Sequence, residues 1–177
     1  MLPRLARSAA WLLATVCLLA GCVTPGAQPD SEGDPTAPTS TMTLEQAKAI
    51  TLERQDDIAA LFPADHVGEV IRPETSRALY GCGEDDWFQW PGVTRIVIVG
   101  EVDPPSIIEE IGAQLRADGG WAVEERTSSN DFPSLSLLHD DGSLFRVGFY
   151  EGGAEFWVDA SSPCFYLEGG LEPGTEY

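Results

Sequence analysis

Residues 134–160 read Ser-Leu-Ser-Leu-Leu-His-Asp-Asp-Gly-Ser-Leu-Phe-Arg-Val-Gly-Phe-Tyr-Glu-Gly-Gly-Ala-Glu-Phe-Trp-Val-Asp-Ala. Twice in this stretch an apolar run gives way to turn formers, at His139-Asp140-Asp141-Gly142-Ser143 and at Glu151-Gly152-Gly153. The first contains Asp-Gly, a short-range hairpin signal, because both residues tolerate the positive φ that a tight turn needs. Between the turns, Phe145, Val147 and Phe149 recur at a spacing of two, so they share one face of a strand. Beyond the second turn, Phe156 and Val158 fall on one side and Trp157, between Glu155 and Asp159, on the other. Ser134 to His139 is the strand before them. The stretch therefore predicts strands joined by short turns, with one apolar face that something must cover.

Upstream of it, Trp121-Ala122-Val123 opens a further strand that runs through Arg126. Asp103-Pro104-Pro105 predicts a helix start with an Asp cap and Pro at the first helical position. Ile107, Ile108, Ile111 and Leu115 then form one apolar stripe, and Gly119-Gly120 ends it. Thr94-Arg95-Ile96-Val97-Ile98-Val99 is the most β-branched run of the chain and reads as a central strand buried on both faces. If the strands flanking the second helix are parallel, their connection should cross right-handed. Ser76 to Cys82 reads as a short strand, Gly83-Glu84-Asp85-Asp86 as a turn, and Trp87-Phe88-Gln89-Trp90-Pro91-Gly92 as an aromatic loop. The first helix begins at Thr43-Leu44-Glu45-Gln46, a capping box, with apolar residues Leu44, Ala47, Ile50, Ile58 and Leu61 and a stop at Pro63. The tail from Gly169 to Tyr177, rich in glycine and acids, reads as loose. Together these predict an α+β domain over residues 43–177, with a mainly antiparallel sheet of about six strands and two helices on one face.

The N-terminal segment has a different character. Arg4 and Arg7 precede an apolar run from Ala9 to Ala20 that is too short to span a bilayer. It ends in Leu19-Ala20-Gly21-Cys22, which resembles the lipobox of bacterial lipoprotein precursors. That resemblance implies removal of residues 1–21, a diacylglyceryl group on Cys22, and a protein lipid-anchored at the extracytoplasmic face of the cell membrane. An ordinary signal peptide cut elsewhere is the alternative. Residues 22–42 carry four prolines with small and acidic residues, and read as a flexible tether of roughly 25 Å r.m.s. span.

The chain has 10 basic and 29 acidic residues, a formal charge of −19, and every acid lies after residue 21. Such a surface repels phosphate backbones and anionic head groups, which argues against nucleic acid as a partner and leaves membrane attachment to lipid. Past Cys22 two thiols remain, Cys82 and Cys164. In an oxidising compartment they most simply pair. A catalytic cysteine is the weaker reading, because neither sits at a predicted helix start beside a histidine that would lower its pKa.

From the Thr43 helix to Ser162-Pro163-Cys164, the arrangement resembles small uncharacterised lipoproteins of actinobacteria: lipobox, Thr/Pro tether, helix, a Cys after the first strand and a Ser-Pro-Cys near the end. The resemblance implies the architecture and the address, and carries no activity. The residues offer little catalytic pattern. His66 and His139 stand alone and read as surface turn residues, and no metalloprotease, nucleophile-elbow or phosphate-loop motif occurs. Glu84-Asp85-Asp86 and Asp140-Asp141 lack the ligand spacing of a calcium loop and read as solvated turns. No cofactor or metal is expected. Trp87 and Trp90, beside an acidic turn, are the candidate contact residues for an envelope protein or glycan, with the sheet face as the other candidate surface. The expectation is a non-enzymatic binding or accessory module. An envelope hydrolase using paired carboxylates, or a structural surface protein, are the alternatives.

Overall fold

The computed structural model describes residues 42–177 apart from 84–85 and 129–130. The leader, Cys22 and the tether up to residue 41 lie outside the described residues, as do Glu84 and Asp85 of the acidic turn.

The first helix, α1 (Leu44–Ala59), opens as its sequence dictates. Thr43 Oγ1 accepts the Gln46 N–H at 3.3 Å, and Gln46 Oε1 accepts the Thr43 N–H at 2.9 Å. Both groups satisfy backbone donors that the first helical turn leaves free. Its buried face differs from the apolar stripe, however: Ala47, Thr51, Gln55 and Ile58 point inward. Thr51 can be buried because its hydroxyl donates to the Ala47 carbonyl at 2.7 Å, and Gln55 because its amide donates to the Val158 carbonyl at 2.8 Å.

A 3-10 turn (Ala64–His66) leads into β1 (Val67–Ile71), a strand not expected from the sequence. It is mostly exposed and carries a register irregularity between Val67 and Glu69, so no two-residue alternation marks it. Next come β2 (Tyr80–Gly81), β3 (Trp87–Gln89) and β4 (Pro91–Ile98). Then follow α2 (Pro104–Asp118), β5 (Trp121–Thr127), β6 (Pro133–His139), β7 (Leu144–Tyr150), β8 (Glu155–Ser161) and β9 (Phe165–Tyr166).

Six strands form one antiparallel sheet in the order β1-β4-β8-β7-β6-β5. Both helices pack on the same face, α1 over β4 and β8, α2 over β5 and β6. Between them lies the main core, built from Ile107, Ile108, Ile111 and Leu115 of α2 and the inward rows Leu135, Leu137, Phe145, Val147, Phe149, Phe156 and Val158. Phe62 joins it, 4.8 Å from the Phe156 ring. The α2 stripe is the expected one, although Asp103 makes no side-chain cap bond and Pro104 and Pro105 at the helix start carry the stop instead. The pairings set β4 and β5 pointing the same way with three strands between them.

Four expectations need correction. β4 is next to the edge, and only alternate residues, Thr94 and Ile96, are fully buried, so the β-branched run is covered on one face rather than two. Ser76 to Cys82 forms a strand only at Tyr80–Gly81, because the Ser76 hydroxyl folds back to donate to the Ala78 carbonyl at 2.8 Å. The aromatic loop is itself a strand: β3 stands between β2 and β9 in a second, three-stranded sheet. The tail is not loose, since Tyr177 exchanges backbone hydrogen bonds with Ser76 at 2.8 Å each. This small sheet covers a second core of Ala47, Leu79, Trp90 and Phe165. The Cys82–Cys164 disulfide, Cα to Cα 6.2 Å, ties the end of β2 to the start of β9 across 82 residues.

Candidate functional site on the open sheet face

With both helices on one side, no helix among the described residues covers the other face of the six-stranded sheet. Because side chains alternate, this face is written by the residues that the hydrophobic pattern skips. Register aligns them in rows. Ser136, Arg146, Asp159 and Val93 form one row across β6, β7, β8 and β4. Ser134, Gly148, Trp157 and Arg95 form the next. Tyr150, Glu155 and Val97 form a third.

The centre of the face is a stack. The Tyr150 and Trp157 rings lie 4.5 Å apart at 26°. The Arg95 guanidinium covers the indole at 5.4 Å, and the indole N–H donates to Glu155 Oε2 at 2.6 Å. These contacts hold Trp157 in one orientation. Gly148, directly across from Trp157, is held as glycine, since a Cβ there would lie 2.9 Å from Ser134 Cβ.

Asp159 sits beside this stack. Burial raises its carboxyl above the usual range, opposed by the Tyr150 hydroxyl, which donates at 3.4 Å, and by the field of Arg146. Burial and the Asp159 charge raise the Tyr150 phenol in turn. The register neighbours of Asp159 are Arg146 and Val93, with Trp157 and Ser161 along its own strand, so no second acid adjoins it. The arrangement offers a hydrogen-bonding carboxyl among an arginine, a tyrosine and a tryptophan, not the facing pair of acids that glycoside hydrolysis employs.

Two grooves run along the face and meet at Arg146. The larger, about 710 Å³, is floored by Leu144, Trp157 and Asp159 and walled by Pro73 and Arg77 from the segment before β2 and by Tyr80 of β2. The smaller, about 520 Å³, lies between Arg126, Ser134, Ser136, Arg146 and Tyr150. Both sizes suit a small organic ligand.

The residues singled out in the sequence fall elsewhere. Trp90 is fully buried: its backbone N–H donates to Ser162 Oγ at 2.8 Å, its indole N–H donates to the Tyr177 carbonyl at 3.1 Å, and Lys48 lies 5.6 Å from its ring. It is a core anchor and has no surface to offer. Trp87 is half-buried, its ring 5.9 Å from Tyr166. Register puts Trp87, Tyr166, Gln89 and Tyr80 on one face of the small sheet, opposite Phe88 and Phe165. His66 donates from Nδ1 to the Val99 carbonyl at 3.0 Å, and His139 packs edge-on to Trp121 at 4.7 Å. Asp141 is an exposed turn residue, as expected, but it is also tied down: it pairs with Arg54 at 2.6 Å and accepts the Ser143 hydroxyl at 2.5 Å. Burial pushes its carboxyl up, but Ser143 and Arg54 outweigh that and hold it at about 2. Among the described residues no group of three or more His, Cys, Asp or Glu is placed to hold a metal ion, and no helix is long and apolar enough to cross a membrane.

No family model, no curated protein and no solved structure matches this chain. Its chemistry must therefore be read from its own side chains.

Proposed function

We propose that this protein is a lipid-anchored module of the cell envelope, held outside the cytoplasm through Cys22, that binds an envelope protein or glycan on its open sheet face. The observation that carries the binding part is the open face itself. Its aromatic stack is braced by Arg95 and Glu155, and two grooves flank Arg146. Aromatic and arginine side chains contribute most where partners bind, and the bracing contacts of Trp157 with Arg95 and Glu155 leave these side chains less freedom to lose on binding. The lipobox-like end of the leader and the acidic surface support the address.

Crosslinking in live cells tests the binding surface. The bait is the full chain, compared with a Tyr80→Ala/Leu144→Glu double variant. Both residues line the larger groove and are about half exposed, so their replacement leaves the core intact. An envelope component captured by wild type and lost by the variant supports the reading. Equal capture by both removes the open face as the contact surface. The anchor has its own test: Cys22→Ala is expected to move the protein from the membrane fraction to the soluble fraction, and unchanged partition refutes lipid attachment at that residue.

A further inference from the structure

The smaller groove is chemically unlike the rest of the molecule. The chain carries 29 acidic residues, yet none lines this groove, which presents Arg126, Arg146, Thr127, Ser134 and Ser136. Six of the seven described arginines, Arg126 included, have a carboxylate within ion-pair distance. Arg146 has no hydrogen bond or ion pair among the described residues; it faces Asp159 across the strand and interacts electrostatically with Asp159 and Tyr150. The hydroxyls of Thr127, Ser134 and Ser136 also make no hydrogen bond to any described residue, although Ser134 and Ser136 are half-buried. Register places Ser136 directly opposite Arg146, and Ser134 opposite Gly148, where the strands approach so closely that a Cβ would lie 2.9 Å from Ser134 Cβ.

We infer that this groove binds a monoanionic, hydroxyl-rich ligand, a sugar acid, with its carboxylate on Arg146 and its hydroxyls on Ser134 and Ser136. A guanidinium presents parallel N–H donors that match the two oxygens of a carboxylate. Short hydroxyl side chains both donate and accept, as sugar hydroxyls require. One unengaged guanidinium balances one negative charge. A phosphate dianion would leave a surplus facing a strongly acidic protein, which selects the carboxylate. Two acids stand close by, Asp159 opposite Arg146 and Glu124 paired with Arg126, and a ligand carboxylate must compete with them for the guanidinium field. The more distant acids are screened beyond about 8 Å at physiological ionic strength. The assignment rests on the open sheet face being the binding surface, and names what that face takes.

The test is titration of the full chain in detergent with D-glucuronate, D-glucose, acetate and inorganic phosphate, followed by calorimetry and by amide shifts along β6 and β7. Glucuronate is expected to bind more tightly than the other three. Arg146→Ala should weaken it at least tenfold, Arg146→Lys, which keeps a charge opposite Asp159, should restore part of the loss, and the amide spectra of both variants should show the wild-type fold because the Arg146 side chain is exposed. Absence of glucuronate binding overturns the inference, as does glucose, acetate or phosphate binding equally well, or an unchanged affinity in Arg146→Ala. If glucuronate fails while the Tyr80→Ala/Leu144→Glu comparison still shows a lost partner, the ligand class alone falls. If both fail, the open face falls with it.

Discussion

Gly92 is held as glycine by its neighbours. A Cβ there would lie 2.5 Å from Trp90 Cζ3 and 2.7 Å from Gln55 Oε1, both on fully buried side chains. Gly92→Ala is therefore expected to cost about 1–3 kcal/mol, the range for overpacking a tight core, read as a lower urea midpoint. Two aspartates should respond to pH in opposite directions. Asp141, held at about 2, lies below its unfolded value near 3.9, so its contribution is complete above that value and is lost as pH falls from about 4 to 2. Asp141→Asn should cost about 1–2 kcal/mol at neutral pH, less than full linkage because the pair remains in contact with water, and the difference should vanish below pH 2. Asp159 is raised, so charging it costs more in the folded protein. Its contribution is complete below the unfolded value and is lost as pH rises through the raised one. Asp159→Asn should gain on wild type from acid to neutral pH, and urea melts at a series of pH values separate the two cases.

At the scale of elements, the disulfide and the small sheet are one device. β2, β3 and β9 have two, three and two residues, too few to hold together by pairing alone, and the Cys82–Cys164 link spans the gap between β2 and β9. Reduction should lower stability by about 4–5 kcal/mol on the chain-entropy account, measured as the difference between urea melts with and without reductant. The same shortness explains why β3 and β9 are not legible in the sequence and why the strand expected over Ser76–Cys82 is too long: alternation needs four residues or more to be seen. Where turn chemistry and alternation agree, from Leu144 to Ala160, the sequence reading and the structure coincide. The open face was legible only in part. Trp157 falls opposite Phe156 and Val158 by simple counting. Arg146 looks like any other arginine until register sets it between Ser136 and Asp159 and the pairing of its fellows leaves it alone. Trp90 was misread because aromatic density beside a turn looks the same whether the ring points out or in. What sends it in is the second core under the small sheet, a long-range fact.

For the whole molecule, the strand order β1-β4-β8-β7-β6-β5 has a consequence in time. β8, at residues 155–161, is the sole bridge between β4 on one side and β7 on the other. A chain made only as far as Tyr150 would own an antiparallel β1–β4 pair and a three-stranded meander with no strand pairing to join them. Neither piece could close the shared core, and Cys82 would still lack its mate. Folding must wait for nearly the whole polypeptide, and pairings so distant in sequence are slow to form. Such a chain stays pliable through most of its synthesis and locks only when its last eighth or so has arrived. A deletion that removes Glu155–Ser161 should consequently abolish the cooperative melt altogether rather than lower its midpoint.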